Sequence, residues 1–305
     1  MIRNFVNIGD FEAAQLSAML EQAIADKKAF RAGKLKATLE RKTLAMIFEK
    51  PSLRTRVSFE TAMRQLGGHA IYLTQADIGL GQREELKDVA RVLGRMCDAI
   101  LARTFRHETV EQLVEHAPVP VINALSEHSH PCQAMADLMT VAEHFGKLAG
   151  RKLVFVGDGN NVARSLAEAC SKLGVGFVLA CPQGYELAEL GGRAGASDGG
   201  SICRDAAEAV ADADIVYTDT WVSMGQESQA DERLRDFAGF QVDAALLAKA
   251  RRGAIVMHCL PAHRGQEIAE DVFESHAGTI FEQAENRLHF QRTLLNLLIG
   301  QGGIK

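Results

Sequence analysis

The sequence predicts an α/β protein of two doubly wound domains, each with a central parallel sheet covered by helices on both faces and linked by interdomain helices. Three observations lead there. Strand-like and helix-like segments alternate along nearly the whole chain. The strands are near-continuous apolar runs such as Leu153-Val154-Phe155-Val156, as expected where both sheet faces are buried. The chain has 305 residues, long for one core, so two domains of about 150 residues each are expected.

The elements follow in order. Residues 11–30 carry helical periodicity, and the apolar run 43–48 reads as a strand that feeds a Lys50-Pro51 turn. A helix over 52–66 ends at Gly67-Gly68, followed by a strand at 70–73 and a helix at 84–96. Strand 99–102, helix 108–116, strand 119–123 and a longer helix 131–145 complete the first half, and a break falls at 146–150. The pattern restarts with strand 153–156, helix 161–173 and strand 176–180, then strands 214–217 and 254–257. Residues 284–299 are apolar and helical but too far from a fresh strand to begin a new unit. The expected division is therefore 1–145, 146–283, and a C-terminal helix at 284–305 packing back on the N-terminal domain. The stretch 191–200 is rich in Gly, Ala and Ser and reads as a mobile loop.

Composition narrows the function classes. Hydrophobic content of 47% and charged content of 24% are those of a soluble globular protein. A net charge of −5 gives no broad surface for nucleic acid or anionic membrane, so any phosphate chemistry needs a local basic pocket. No apolar run reaches the length of a membrane span, and Met1-Ile2-Arg3-Asn4-Phe5 lacks the core of a secretory leader. The six cysteines are scattered without C-x-x-C pairs and read as reduced thiols of a cytoplasmic protein, with no disulfide frame and no zinc site.

Five polar clusters fall at predicted strand ends, where parallel sheets place ligands. The first, Ser52-Leu53-Arg54-Thr55-Arg56, puts hydroxyls and guanidiniums at a helix start, which suits a doubly charged phosphate oxyanion. The others are Arg103-Thr104-Phe105, His130-Pro131-Cys132-Gln133, Asp219 with Ser223-Met224-Gly225, and His258-Cys259-Leu260-Pro261 with His263. Each alone has a plain alternative: a helix cap, a surface ion pair, a helix-entry histidine, a buried thiol. Jointly they point to one cleft between the two domains. His258 and His263, five apart in a Pro-containing loop, have poor geometry for a helical zinc motif, and no metal is expected.

Gly157-Asp158-Gly159-Asn160-Asn161 looks like half a dinucleotide fingerprint. The third glycine position holds Val162, however, and the next strand ends at Cys181-Pro182 without an acidic residue for a ribose. What remains is a tight turn presenting two Asn amides to a small polar ligand. The lysine pattern of a Walker loop is missing too, so neither NAD nor ATP is expected, and no cofactor is implied.

Taken with these motifs, the chain resembles the aspartate and ornithine carbamoyltransferases. Ser52-Leu53-Arg54-Thr55-Arg56 is similar to their Ser-Thr-Arg-Thr-Arg carbamoyl phosphate motif, His130-Pro131-Cys132-Gln133 to their His-Pro-x-Gln motif, and Arg103 falls where their catalytic arginine lies. Asp219-Thr220-Trp221-Val222-Ser223-Met224-Gly225 and His258-Cys259-Leu260-Pro261 are similar to the motifs of the ornithine-using branch.

The resemblance covers essentially the whole chain and implies transfer of the carbamoyl group of carbamoyl phosphate to the δ-amine of L-ornithine, giving L-citrulline and phosphate in arginine metabolism. It implies a homotrimer with shared active sites and no cofactor. It implies catalytic roles for Arg103, His130 and Cys259. Carbamoyl phosphate would be bound by Ser52, Leu53, Arg54, Thr55, Arg103, His130, Gln133, Cys259, Leu260 and Arg287, and ornithine by Asn161, Asp219, Ser223 and Met224. The proton of the attacking amine would go to Cys259 or to the departing phosphate. Two departures stand out: Leu53 replaces the family's usual Thr, and Gly79 stands where a neighbouring subunit often contributes Gln or His, with Gln82 three residues on. N-Acetylornithine or putrescine is the alternative amine, and a non-catalytic metabolite-binding protein the alternative class.

Overall fold

Five of the six residues of Thr43–Phe48 are buried, the mark of a central strand covered on both faces. The computed structural model describes residues 3–79, 84–190, 200–223 and 225–300. The chain divides into two units, Met1–Met139 with Glu285–Lys305, and Thr140–Ala284.

The first unit begins with α1 (Ala13–Arg31), β1 (Thr43–Phe48), α2 (Leu53–Gln65), β2 (His69–Thr74) and α3 (Gln75–Ile78). It continues with α4 (Leu86–Met96), β3 (Ala99–Arg103), α5 (His107–His116), β4 (Val121–Leu125) and the start of α6 (Pro131–Phe145). Its four-stranded sheet has the order β2-β1-β3-β4, all parallel. The direction of winding therefore reverses between β1 and β3. Ser52 caps α2, its Oγ accepting the Thr55 N–H at 3.4 Å, which satisfies one of the amides that open a helix. A core of Ala45, Ile47, Ile100, Ala102, Val110, Leu113 and Val121 fills one face of the sheet.

The second unit contains β5 (Lys152–Val156), α7 (Asn161–Leu173), β6 (Gly176–Ala180), β7 (Ser201–Cys203), α8 (Ala206–Val210) and β8 (Ile215–Thr218). It closes with α9 (Ala230–Asp236), α10 (Ala244–Leu247), β9 (Ile255–His258), α11 (Glu270–Ser275) and the start of α12 (Ala277–Ile299). Its parallel sheet has the order β7-β6-β5-β8-β9, reversing between β5 and β8. Helix α7 opens on Asn160, whose Oδ1 accepts from the amides of Val162 and Ala163, and closes on Gly174 in the left-handed region. Val154, Val156, Val216, Val256 and the stacked rings of Trp221 and Phe237 anchor this core.

Most predicted elements are present with shifted ends. The strand expected at 119–123 runs instead over Val121–Leu125; Pro118 and Pro120 have no N–H for a ladder, so pairing begins after them. The C-terminal helix starts earlier than expected, at Ala277. Edge strand β7 has only three residues, too few to show an alternating pattern. Of the expected mobile loop at 191–200, all but Gly200 lies outside the described residues. Among the described residues no helix is long and apolar enough to cross a membrane.

Candidate active site

In each sheet the crevice outside the strand ends opens where the winding reverses. In the first unit that is between β1 and β3, whose last residues, Phe48 and Arg103, are paired in register. The chain leaves β1 through Lys50-Pro51, turns at Ser52 and enters α2, so the amides of its first turn lie beside the end of β3. Thr55 is fully buried there, and its hydroxyl accepts a hydrogen bond from Arg287 Nη2 at 2.7 Å. Arg103 ends β3 only 6% exposed, and its Nε is buried without a hydrogen-bond partner among the described residues. After β4, His130 (4% exposed) leads into α6. One turn on, Gln133 donates from Nε2 to Asp137 Oδ1 at 2.8 Å, while its Oε1 is buried with no hydrogen-bond partner among the described residues.

These side chains form a cationic pocket. Burial, with the neighbouring guanidiniums of Arg287 and Arg54, lowers the pKa of Arg103. Burial first, then Arg287, Arg103, Lys50 and Arg54, holds His130 well below the ordinary histidine value. His130 is thus a neutral ring at neutral pH, able to donate one N–H without adding a charge. Crowded cations that burial already strains gain the most from a bound dianion.

The motif's two arginines part company. Arg54 belongs to the pocket, as its effect on Arg103 and His130 indicates. Arg56 stacks over the Tyr72 ring at 4.0 Å and pairs with Glu60 at 3.0 Å, so it braces the helix. The Leu53 side chain is 75% exposed, leaving only its backbone to serve a ligand at the helix start. Lys50, which sequence reasoning treated as a turn residue, belongs to the pocket as well. Burial and Arg103 lower its pKa to about 8. Its presence in the turn before the phosphate motif was the available signal.

In the second unit the crevice lies between β5 and β8, where Val156 pairs with Thr218. Asp219 follows β8 directly and is 6% exposed. Its Oδ2 accepts from Asn160 Nδ2 at 2.9 Å, and its Oδ1 accepts from the Thr220 amide at 2.8 Å and from Cys259 Sγ at 2.9 Å. Cys259 leaves β9, the strand beside β8. Asn160 thus caps α7 and fixes Asp219; its neighbour Asn161, partly exposed at the first helical position, is the predicted ligand residue. Gly159 permits the tight turn, because a Cβ there would meet the backbone of residues 185–187 at 2.7–2.8 Å. Ser223 sits in a turn closed by Gln226, whose Oε1 accepts the Ser223 N–H at 3.1 Å and whose own N–H donates to the Ser223 carbonyl at 3.0 Å. Met224 and Gln82 lie outside the described residues.

Asp219, His258 and Cys259 bring three potential metal-ligand atoms within 4.8 Å of one another. Both nitrogens of His258 are engaged, however. Nδ1 accepts from the Leu260 amide at 2.8 Å, and Nε2 faces Glu267 Oε1 at 3.1 Å. An ion there would have to break one of those bonds. The pair shapes the backbone on which Cys259 and Leu260 sit.

A family model for the carbamoyl-P binding domain of aspartate/ornithine carbamoyltransferases matches residues 3–143, and one for the Asp/Orn binding domain matches residues 149–298. The chain belongs to the aspartate/ornithine carbamoyltransferase family. Within this family it is 50% identical to the anabolic ornithine carbamoyltransferase of Pyrococcus furiosus, over 99% of this chain and 98% of that protein. It is 47% identical to the ornithine carbamoyltransferase of Anoxybacillus flavithermus, over 97% and 96% of the two chains. The solved structure of the Pyrococcus furiosus enzyme superposes with a TM-score of 0.91 at 48% identity, covering 99% of this chain and 98% of that one. That of the Thermus thermophilus enzyme gives 0.88 at 43% identity, covering 98% and 99%. The family's two-sheet α/β architecture is the one described above.

Proposed function

We propose that this chain transfers the carbamoyl group of carbamoyl phosphate to the δ-amine of L-ornithine, giving L-citrulline and phosphate in arginine biosynthesis. The observation that carries the choice of amine is Asp219, a buried carboxylate held by Asn160, Thr220 and Cys259. Such a group is built to receive an ammonium. Ornithine carries one on its α-carbon. An acylated nitrogen would strand the carboxylate, and putrescine has no α-substituents to fix. Aspartate would bring a second negative charge.

The first unit's residues suit carbamoyl phosphate. Residues 1–145 with the 284–305 helix are proposed to bind it, and residues 146–283 to bind ornithine. The α2 amides around Ser52, Leu53 and Thr55, with Arg54 and Arg287, would hold the phosphate. Gln133 Oε1 would accept from the carbamoyl NH2, with the Leu260 backbone as a further contact. Arg103, neutral His130 and the Thr55 hydroxyl would donate to the carbonyl oxygen. Asp219 and Ser223 would take the α-ammonium of ornithine, and Asn161 with the Met224 backbone its carboxylate.

The δ-amine has an ordinary pKa near ~10.4, so it must shed a proton before its lone pair attacks the carbamoyl carbon. Attack drives the carbonyl π pair onto oxygen, where Arg103 and His130 stabilise the developing anion. Collapse re-forms the carbonyl and breaks the carbon–oxygen bond to phosphate, which leaves with that electron pair. The proton left on nitrogen passes to the departing phosphate or through Cys259.

A homotrimer in the cytoplasm belongs to the same reading. Exposed Val57, Ile71, Val92 and Met96 in the first unit offer apolar surface for a subunit contact, and six unbridged thiols suit a reducing compartment. Light scattering on a sizing column measures the assembly. The decisive assay incubates the protein with carbamoyl phosphate and, separately, ornithine, N-acetylornithine, putrescine and aspartate, and quantifies ureido product. Ornithine should dominate, and a faster competing amine would sink the assignment.

A further inference from the structure

His107 opens α5, and none of the chemistry above uses it. Its half-buried ring places Nδ1 2.7 Å from the Ser126 hydroxyl, just past the end of β4. That hydroxyl is the hub of a turn: the Ser129 amide donates to it at 3.2 Å and Asn123 Nδ2 reaches it at 3.4 Å. The Ser126 amide in turn donates to the Ser129 carbonyl at 2.9 Å. The same turn is tied on its other side. Glu127 N–H donates to the Phe105 carbonyl at 3.0 Å, and the Glu127 carboxylate accepts the His107 amide at 3.3 Å. The residue after this turn is His130.

The Ser126 oxygen already accepts from the Ser129 amide at 3.2 Å and faces Asn123 Nδ2 at 3.4 Å, while His107 Nδ1 lies at 2.7 Å and the Ser129 carbonyl farther off at 3.5 Å. With two N–H donors already on that oxygen, a third from His107 would overfill its lone pairs, so the hydroxyl proton goes to His107, which accepts on Nδ1 and carries its own proton on Nε2. We propose that His107 is a positioning residue for the carbamoyl transfer: as a neutral acceptor it locks the Ser126–Ser129 turn that aims the His130 ring. The proposal rests on the carbamoyltransferase reading and on His130 as a donor to the carbamoyl oxygen.

The surroundings keep the ring neutral. Burial lowers the His107 pKa, and His128, whose ring centroid lies 4.9 Å away, lowers it further; Glu111 on the same helix, Asp10 from the N-terminal segment and Glu127 from the turn oppose them. Protonation would place a hydrogen on Nδ1, facing the hydroxyl proton. Ser126 would then have to turn its proton toward the distant Ser129 carbonyl while accepting from His107, and the turn would loosen. Activity should therefore fall on the acid side for a reason separate from protonation of the attacking amine.

The test uses the full-length chain and three variants. His107→Asn keeps an acceptor near the Nδ1 position, His107→Ala removes it, and Ser126→Ala removes its partner. In steady-state citrulline assays His107→Ala should lower kcat ~10- to 100-fold, the usual consequence of a misaimed donor, with KM for ornithine within about twofold. His107→Asn should restore most of kcat and lose the acid-side inflection attributable to His107. The double variant His107→Ala/Ser126→Ala should be no slower than the worse single one, because the two act as one unit. Full kcat in His107→Ala with only a lowered Tm would overturn the proposal, as would equal losses in His107→Ala and His107→Asn. Should His107→Ala fail to fold, the pH profile of His107→Asn and the kcat of Ser126→Ala decide the matter by the same criteria. Absence of citrulline from the unaltered chain would overturn the ornithine reading and this proposal with it, whereas losses confined to the variants bear on His107 alone.

Discussion

Arg287 donates from Nη2 to the hydroxyl of Thr55 at 2.7 Å, joining residues 232 positions apart in sequence. Both are buried, at 3% and 0% exposure. The bond does two things at once. It brings a fixed positive charge to the start of α2, and by filling one lone pair of the Thr55 oxygen it leaves the hydroxyl proton to be donated elsewhere. Lys27 holds the same stretch of α12 through Asn286 Oδ1 at 2.7 Å, and Thr293 through Asp26 Oδ2 at 2.6 Å. Arg287 thus sits on a segment anchored against α1.

Replacing Arg287 with Met should therefore weaken carbamoyl phosphate use specifically. Loss of a charge-assisted donor is worth ~1.5–3 kcal/mol, or about 10- to 100-fold in kcat/KM for carbamoyl phosphate. Steady-state kinetics at fixed ornithine measure it. An unchanged KM for carbamoyl phosphate would remove Arg287 from the site.

Lys50 supplies a pH dependence. Burial and Arg103 lower its pKa to about 8, with Glu49 and Glu127 opposing. Because the folded value lies below the ordinary lysine value, the charge present at neutral pH is lost as pH rises through about 8. A dianion beside it favours the charged form, so binding should take up a proton near that pH. KM for carbamoyl phosphate should climb above pH 8, and the climb should flatten in Lys50→Met. Calorimetry in buffers of different ionisation enthalpy should detect the proton; identical apparent enthalpies across buffers at pH 8 would contradict the assignment.

The sequence made much of this site readable, for a physical reason. Ligand groups in parallel sheets sit at strand ends, so Ser52, Arg103, Asp219 and Cys259 were recognisable as polar residues ending apolar runs. Residue type alone does not separate Arg56 from Arg54; the family resemblance singled out Arg54, and the Tyr72 ring with Glu60 engages Arg56. Asn160 looked interchangeable with Asn161, because capping and the bond to Asp219 depend on the turn geometry. The His107–Ser126 bond left no trace, since it joins two elements 19 residues apart with no shared pattern.

Asp214 gives a stability prediction in the second unit. The carboxylate is only 2% exposed. Burial pushes its pKa up, but the Lys152 amide at 2.9 Å, Arg151 at 3.1 Å and Arg251 at 2.7 Å outweigh this, and the net shift is downward. A lowered folded value means the stabilisation is present above the unfolded pKa of about 3.9 and is lost as pH falls through the folded one. Asp214→Ala removes a buried acceptor of the Lys152 amide, Arg151 and Arg251; both guanidiniums remain partly exposed, so the loss should be ~1.5–3 kcal/mol, that of hydrogen bonds to a charged group. Urea denaturation at pH 7 should show it, and the gap between parent and variant should narrow toward pH 3. A gap that stays constant with pH would argue against an electrostatic origin.

Cys259 poses the sharper question, because its Sγ donates to Asp219 Oδ1 at 2.9 Å. A thiol that donates is protonated, so in this geometry it cannot also accept a proton from the amine unless it first gives its own to Asp219. That transfer would neutralise the carboxylate when the α-ammonium of ornithine needs it charged. The departing phosphate, already anionic, is the more favourable acceptor, and Cys259 then serves to orient Asp219. Cys259→Ser preserves an O–H donor and should keep kcat within about tenfold, whereas Cys259→Ala should raise KM for ornithine by about the worth of a hydrogen bond to a charged group, ~10- to 100-fold. If the thiolate were the base, Ser and Ala would fail alike in kcat, since a serine hydroxyl holds its proton far more tightly than a thiol. Kinetics of the two variants across pH 7–9 separate the cases: a donor role leaves the shape of the kcat profile of Cys259→Ser unchanged, and a base role abolishes its rising limb.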